Sequence, residues 1–276
     1  MSAAQRATCV SAYDDTRVIA LSVVIPAFNE AARIQGCLSE ITAYFKQRGI
    51  AYEVLVVDDG SVDGAAILVD RYRREDQAVR LLRLPRNMGK GYAVRAGVRE
   101  ARGALLLIAD ADGATPIRET ERLEAAIRGG ADLAIGSRFL ASRDSRYRVK
   151  ARWHRSVLGN LFNLVVQALG LRGITDTQCG FKLLQEAVAL DLFSVACING
   201  YGLDLEILYV AQRRGYRIAE VPVNWSDQPG SKVRVFRDGF RMLLDLLTIR
   251  RNYARGLYAP GNRYERSEMI VARPHA

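Results

Sequence analysis

Short apolar runs bounded by turn residues alternate, in the first half of the chain, with longer segments in which apolar residues recur every three or four positions. The run LSVVIP at 21–26 is typical of a strand buried on both faces, and the segment after it is typical of an amphipathic helix. The pattern predicts strands at 21–26, 53–57, 79–84, 104–109 and 132–135, and helices at 31–48, 64–74, 91–101 and 117–127. Because strands that alternate with helices indicate right-handed crossovers, we predict an α/β fold with a mainly parallel sheet and helices on both faces.

This rhythm changes after residue 138. We predict a helix at 151–169, a loop at 176–182 that returns to the sheet, a helix at 203–213, a strand at 216–223 and a final amphipathic helix at 236–249. The sequence has no internal repeat and no linker, which favours a single domain at 21–253. We expect residues 1–20 to be a flexible N-terminal segment and the polar residues 254–276 to be a disordered tail.

Polar side chains follow four of the predicted strands. They are Asn29 and Glu30 after the first strand, Asp58 and Asp59 after the second, Asp110 and Asp112 after the fourth, and Ser137 and Arg138 after the fifth. In parallel sheets, ligands bind beyond the carboxyl ends of the strands. The recurrence therefore predicts one binding site along that edge of the sheet.

Asp110 and Asp112 stand two residues apart, and Gly113 follows them. Such carboxylates hold Mg²⁺ while the ion keeps waters and phosphate oxygens in its shell, and the ion then neutralises charge on a leaving diphosphate. For an isolated pair of this kind, an acidic turn is the alternative, because Asp and Gly are turn residues. The neighbouring strand-end clusters favour the metal site.

Asp58 and Asp59 offer oxygens that can accept hydrogen bonds from a nucleobase N–H and from ribose hydroxyls, while Ser61 or Asp63 is open to a role as cap of the next helix. The segment NMGKG at 87–91 lacks the glycine spacing and the chain position of a dinucleotide fingerprint. It indicates a glycine turn from which Lys90 reaches a nucleotide, with a plain helix start as the alternative.

The formal net charge of +10 favours polyanionic partners, namely phosphorylated substrates, an anionic membrane surface or nucleic acid. The arginine-rich stretch 138–155 lacks the run of stacking aromatics that a single-stranded nucleic acid requires, so nucleic-acid binding is the non-enzyme alternative and we expect no such partner. With two histidines, a His-based zinc site or a Ser–His–Asp triad is disfavoured. Four scattered cysteines without a secretory leader indicate reduced thiols and a cytoplasmic location.

Several segments together resemble family 2 of the inverting glycosyltransferases, which have the GT-A (Rossmann-like) fold. They are LSVVIPAFNE at 21–30, VDDGSVD at 57–63, NMGKG at 87–91, DADGAT at 110–115 and GSR at 136–138. DTQCGFKLL at 176–184, DLEILYVA at 204–211 and VNWSDQPGSK at 223–232 narrow the resemblance to dolichyl-phosphate β-glucosyltransferases, with dolichyl-phosphate mannose synthases as close relatives. The resemblance extends from about residue 21 to residue 253.

The resemblance implies transfer of glucose from UDP-glucose to a polyprenyl phosphate, with inversion. It assigns Asp110 and Asp112 to Mg²⁺ or Mn²⁺, and to catalysis together with Arg138. It assigns Asp58, Asp59, Asp110, Asp112, Ser231 and Lys232 to the donor, and Ser137 and Arg138 to the acceptor phosphate. We predict that Pro26, Asn29, Glu30, Lys90 and Ala111 also belong to the donor site, and that Arg152 of the basic stretch also binds the acceptor. Mannosyl transfer from GDP-mannose and a family 2 transferase with a soluble acceptor stay open as alternatives.

An acceptor phosphate near neutral pH is already an anion, so transfer to it requires positioning and charge neutralisation but no general base. Arginine suits this task through bidentate contacts. A hydroxyl acceptor would need a base, for which the sequence offers Asp204 and Glu206. These two lie two residues apart on a predicted helix and do not share a face, and whether either enters the site is open.

No stretch of the sequence reaches the roughly 20 apolar residues of a membrane span. The helices predicted around 158–171 and 240–249 combine apolar residues with flanking arginines. This combination suits a helix on a membrane surface and a core helix equally well. We therefore expect a peripheral contact with the cytoplasmic face of a membrane.

Overall fold

The structure is a computed structural model and describes residues 19–150, 166–167, 170–171, 173–228 and 235–259. Its strands are β1 (Leu21–Ala27), β2 (Tyr52–Asp58), β3 (Val79–Arg83), β4 (Leu105–Ile108), β5 (Leu133–Ser137), β6 (Val149–Lys150), β7 (Lys182–Gln185), β8 (Ile218–Pro222) and β9 (Trp225–Ser226). Its α-helices are α1 (Ile34–Arg48), α2 (Ala65–Glu75), α3 (Lys90–Glu100), α4 (Thr120–Arg128), α5 (Arg138–Ser142), α6 (Glu186–Val195), α7 (Leu203–Arg213) and α8 (Val235–Ala254).

The main sheet has seven strands in the order β3-β2-β1-β4-β7-β5-β8. Neighbouring strands pair in parallel, except that β7 pairs antiparallel with both β4 and β5. A second, two-stranded parallel sheet joins β6 to β9. The α/β fold with a mainly parallel sheet is confirmed.

Apolar side chains of the strands alternate between the two faces of the sheet, as the two-residue period of a strand requires. Leu105 and Leu107 of β4 pack with residues of α1 and α4 in one core cluster. Leu106 and Ile108 of the same strand pack with residues of α3, α6, α7 and α8 in another. Because both faces are covered, strands such as β1 consist almost entirely of buried residues.

The sequence pattern missed one strand of the main sheet and the helix after it, and also the short elements β6, β9 and α5. Residues 176–182 were expected to be a loop, and the structure continues this segment into β7 and α6. The strand has four residues, KLLQ, and its first residue is a buried lysine, so neither alternation nor an apolar run marks it. Its place in the sheet depends on tertiary pairing with β4 and β5.

The last helix, α8, is longer than the predicted 236–249, and the described chain continues beyond residue 253, where we expected the domain to end. Tyr258 is buried against the core. Residues 1–18 and 260–276, and most of the helix predicted at 151–169, lie outside the described residues. Among the residues that are described, no helix combines the length and the apolar character needed to cross a bilayer.

Candidate functional site

The carboxyl end of β2 is connected to the loop before α3 by Asp59. Both of its carboxylate oxygens accept backbone hydrogen bonds, from Met88 N at 2.7 Å and from Gly89 N at 2.9 Å. Burial raises the pKa of Asp59, and these two bonds only partly offset the effect. The structure therefore gives Asp59 a role in positioning the 87–89 loop, and direct contact of its side chain with a donor stays a prediction.

Asp58 is 2% exposed, and no group within the described residues donates a hydrogen bond to its Oδ1 atom. A buried carboxylate oxygen without a partner is costly, because its lost hydration is not replaced. A ligand that reached this buried oxygen would therefore gain by donating a hydrogen bond to it. The sequence offered the two carboxylates equally, and the contacts favour Asp58 as the one that accepts from a ligand.

Asn29 connects the loop after β1 to the loop after β2. Its backbone N–H donates to Ser61 Oγ and its Oδ1 accepts from Val62 N, both at 2.8 Å. The N-cap residue of α2 is Gly64, so the prediction that Asp63 or Ser61 caps this helix is wrong, although Asp63 Oδ1 accepts from Ala65 N in its first turn. These contacts fix the loops after β1 and β2 relative to each other at the carboxyl edge of the sheet.

Other predicted donor residues lie along the same edge. Pro26 is half-buried within β1, and Glu30 accepts from Arg33 Nε at 2.7 Å. Ala111, which lies between Asp110 and Asp112 in the sequence, is buried, and its contact with a donor stays a prediction.

Asp110 lies between Lys90 and the backbone of Gly180. Lys90 Nζ donates to Asp110 Oδ1 at 2.7 Å, and a Cβ atom at position 180 would lie 2.1 Å from Asp110 Oδ2. Burial raises the pKa of Asp110, but Lys90, Lys182 and Arg138 more than offset this and hold it below its ordinary value. Asp110 is therefore an ionised, sterically confined carboxylate whose side chain is still 40% exposed.

Asp112 is half-buried next to Asp110, and one of its oxygens accepts from Ala114 N at 3.0 Å. Ser226 N of β9 donates to Ala114 O at 2.9 Å, so the second sheet holds the 110–114 loop. Burial and the nearby charge of Asp110 raise the pKa of Asp112. Two carboxylates with like charge in one half-buried place are what a bound divalent cation would stabilise.

A lysine that the sequence analysis did not single out lies beside this pair. Because β7 runs antiparallel to its neighbours, its first residue, Lys182, lies opposite Ile108 and Ile135 at the carboxyl ends of β4 and β5. The side chain of Lys182 is 2% exposed, and its Nζ donates to Asp204 Oδ1 at 2.6 Å and to the Cys179 carbonyl. Lys182 belongs to the segment 176–184 that carries the family resemblance, but the sequence did not show that its side chain reaches the site, because its placement depends on the unpredicted strand.

Lys182 and Asp204 line a narrow cleft together with Lys90 and Gly200, and its cavity volume is about 10 Å³. The charges of Asp110 and Asp204 more than offset the effect of burial on Lys90 and raise its pKa above the ordinary value. Cationic and anionic side chains therefore alternate along the edge from Lys90 through Asp110 to Lys182 and Asp204. This supports the prediction that Lys90 faces the site; its contact with a nucleotide stays a prediction.

Arg138 is held by Asp176 at the carboxyl end of β5. Arg138 Nε donates to Asp176 Oδ2 at 2.7 Å and the terminal Nη2 donates to Oδ1 at 2.8 Å. The guanidinium carbon lies 5.4 Å from the centre of the Trp225 ring. The bidentate pair and the ring orient the guanidinium, whose side chain is 31% exposed and retains N–H groups for an anion.

Ser137 is fully buried, and its Oγ accepts from Leu140 N at the start of α5. The hydroxyl therefore caps this short helix, and its contact with an acceptor stays a prediction. Ser231, Lys232 and Arg152, which were predicted to bind donor or acceptor, lie outside the described residues.

The two candidate bases on α7 have different environments. Glu206 is fully buried and accepts from Ile198 N at 2.9 Å, from Cys197 N at 3.0 Å and from Tyr258 Oη at 2.6 Å. Asp204 is paired with Lys182 at the cleft. As the spacing predicted, the two do not share a face, and the contacts of Glu206 are structural.

Within the described parts of the chain, no group of three or more His, Cys, Asp or Glu side chains could enclose a metal ion. Asp110 and Asp112 are thus a partial ligand set. Such a set fits an ion that takes its remaining ligands from phosphate oxygens and water.

Comparison with known proteins agrees with this geometry. Residues 22–193 match the family described as Glycosyl transferase family 2. The chain is 37% identical over 251 residues to dolichyl-phosphate beta-glucosyltransferase from Dictyostelium discoideum, covering 87% of this chain and 76% of that protein. It is 40% identical over 254 residues to the Mus musculus protein of the same name, covering 86% of this chain and 77% of that protein.

Among solved structures, glucosyl-3-phosphoglycerate synthase from Mycobacterium tuberculosis in complex with UDP superposes with a TM-score of 0.64 at 20% identity. The match covers 84% of this chain and 80% of that chain, and shows a shared fold. The same enzyme has also been crystallised with Mn²⁺, UDP-glucose and phosphoglyceric acid. The chain belongs to glycosyl transferase family 2, in the group that includes the dolichyl-phosphate β-glucosyltransferases.

Proposed function

We propose that this protein transfers glucose from UDP-glucose to a polyprenyl phosphate of the dolichyl phosphate type, with inversion at the sugar. The observation that carries the proposal is the confined carboxylate pair Asp110 and Asp112 at the end of β4, with Lys90 on one side and Arg138 nearby. The relatives named dolichyl-phosphate beta-glucosyltransferase support the choice of glucose and lipid phosphate.

On the donor side, Asp110 and Asp112 would hold a divalent cation, Mg²⁺ or Mn²⁺, which when bound supplies charge neutralisation for the departing nucleoside diphosphate. Lys90 keeps Asp110 ionised and in place. The unpaired oxygen of Asp58 is suited to accept the N–H of a pyrimidine base. Asp59 holds the loop that carries Lys90 against the end of β2.

On the acceptor side, Arg138 is oriented by Asp176 to bind an anion. No free general base accompanies it among the candidates that the sequence offered, since Glu206 is committed to backbone N–H groups and Asp204 is the partner of Lys182. An acceptor phosphate is nucleophilic without deprotonation near neutral pH, whereas a hydroxyl is not. The arrangement therefore favours a phosphate acceptor over a hydroxyl acceptor.

We place the enzyme at the cytoplasmic face of a membrane, in peripheral contact with it, because a polyprenyl chain partitions into the bilayer while a nucleotide sugar stays in water. That nucleic acid is not a partner stays a prediction. Salt-sensitive binding to random oligonucleotides would contradict it.

The test is incubation of the purified protein with UDP-glucose or GDP-mannose, Mg²⁺ or Mn²⁺, and a polyprenyl phosphate, followed by chromatography of the lipid. We expect glucosyl lipid from UDP-glucose, and loss of at least about 100-fold in rate in Asp112→Asn. The matched control is Asp70→Asn, because Asp70 is a half-buried surface partner of Arg73 and Arg74 on α2. Absence of any lipid-linked sugar with either donor would remove the proposal.

A further inference from the structure

Helix α8 has an apolar row on its outer side. Phe240, Leu244 and Leu247 are 65%, 48% and 52% exposed, and their spacing of four and three residues places them on one side of the helix. The opposite side is buried in the core through residues that include Met242 and Ile249. An amphipathic helix at a domain surface normally exposes polar residues on its outer side, so this row requires a partner.

Arginines border the apolar row. Arg237 and Arg241 flank it at the first turns of α8, and Arg250 and Arg251 follow its last residue. All four are exposed. The acidic residues of the helix face inward, since Asp238 is buried and Asp245 is half-buried.

The middle of α8 packs on the segment that lines the cleft beside Lys90. Asp245 lies against Gly202, where an added Cβ atom would come within 2.4 Å of Asp245 Oδ2. Gly200, two residues earlier, lines the cleft with Lys90. A surface that holds the outer side of α8 would therefore lie about one helix diameter, roughly 10 Å, from the cleft.

We propose that the outer side of α8 lies on an anionic lipid bilayer, with the row Phe240, Leu244 and Leu247 inserted among the lipids and the bordering arginines against the headgroups. Apolar side chains edged by arginines match the two parts of such a surface. A second copy of the chain fits less well, because a symmetric contact would bring these arginines against each other. Only the reason for this membrane contact rests on the proposed function, since the contact would bring the cleft to a phosphate on a membrane lipid.

The experiment measures co-sedimentation of the full chain with vesicles of phosphatidylcholine, alone or with phosphatidylglycerol, without donor or acceptor. We expect binding to the mixed vesicles, and a fall of roughly tenfold or more in the partition coefficient for the variant with Phe240→Ser, Leu244→Ser and Leu247→Ser. Ile67→Ser is the matched control, because Ile67 on α2 is 59% exposed and α2 packs at the other end of the sheet. This control is expected to bind like wild type.

A second variant, Arg241→Gln with Arg251→Gln, tests the attraction between the bordering arginines and the anionic headgroups. We expect its binding to the mixed vesicles to weaken and its dependence on salt to become less steep, because fewer charges face the anionic lipids. Equal binding of the triple serine variant and wild type would overturn the proposal. So would a change from dimer to monomer on gel filtration in the triple variant with vesicle binding retained, since the row would then be an interface between copies.

Circular dichroism and thermal unfolding of the triple variant check that it folds, which is expected because the replaced side chains are exposed. Turnover of a short-chain, water-soluble polyprenyl phosphate is expected to stay at the wild-type level in this variant. Vesicle binding needs no turnover, so failure of glucosyl transfer and failure of membrane docking are distinguishable results.

Discussion

Gly180 is the position at which the smallest change in the chain is expected to have the largest effect on catalysis. Its backbone is not in the left-handed region, so alanine is compatible with the conformation of the chain there. An alanine Cβ, however, would lie 2.1 Å from Asp110 Oδ2 and 2.7 Å from Asp110 Cγ. An ordinary contact is about 3.5 Å, so the carboxylate must move by more than about 1 Å.

A misplacement of about 1 Å in a catalytic group costs about 100-fold in rate, which corresponds to about 2.7 kcal/mol in the activation free energy. We therefore expect kcat/KM of Gly180→Ala for UDP-glucose to fall about 100-fold. Activation by Mg²⁺ should also require a higher concentration, because the moved carboxylate no longer faces the ion together with Asp112. The assay measures initial rates of glucosyl lipid formation over a range of Mg²⁺ concentrations.

Gly36→Ala is the matched control, because Gly36 lies in α1 and an added Cβ atom there meets nothing within 4 Å. We expect it to keep wild-type activity and to gain about 0.5–1 kcal/mol in stability, because alanine is the better helix former. If Gly180→Ala kept wild-type kcat/KM while Asp110→Asn lost it, the steric confinement of Asp110 by Gly180 would be refuted as the source of its position.

Three further predictions concern residues around the site. Arg138→Leu is expected to lower the free energy of unfolding by about 3 kcal/mol in chemical denaturation, because Asp176 stays buried without its partner. Burial raises the pKa of Asp176, but Arg138 more than offsets this effect and holds the pKa of Asp176 below its ordinary value. The ion pair therefore contributes its full stabilisation above about pH 4, and this stabilisation is lost as the pH falls further. If the free energy of unfolding of Arg138→Leu fell with acidification below about pH 4 as steeply as that of the wild type, this reasoning would be contradicted. Glu206→Gln is expected to lower stability by about 2 kcal/mol while the folded enzyme keeps its kcat, and a large loss of kcat with unchanged stability would make Glu206 a base after all. Burial raises the pKa of Cys37 and Cys197 to about 12 and that of Cys179 to about 11. These thiols should therefore resist alkylation in the folded protein at pH 8, which peptide mass spectrometry measures. Rapid labelling would show that they are accessible and contradict the prediction.

The alternation of strands and helices was predictable because strands of the parallel part of the sheet are covered on both faces. Such strands need apolar residues at nearly every position, and the sequence shows them as continuous apolar runs. The acidic clusters were predictable for the same reason, since they end those runs. The different roles of Asp58 and Asp59 could not be predicted, because they depend on where the 87–89 loop lies in space.

Residues placed by long-range contacts also escaped prediction. Lys182 was expected to be the last residue of a loop at 176–182, and it becomes part of the site only through antiparallel pairing of β7 with β4 and β5. The capping bond of Ser137 and the burial of Tyr258 against Glu206 depend equally on elements distant in the chain or on the exact start of a helix.

The position of β7 has a consequence for the synthesis of the chain. Strands β4 and β5 are not paired with each other, and β7, which follows β5 by about 45 residues, is the strand that joins them. During vectorial synthesis on the ribosome, β1 to β4 can assemble as a partial sheet, while β5 has no described neighbour until β7 and β8 have left the exit tunnel. A nascent chain that stops before Lys182 thus exposes an unpaired edge on β4, the kind of edge that promotes aggregation.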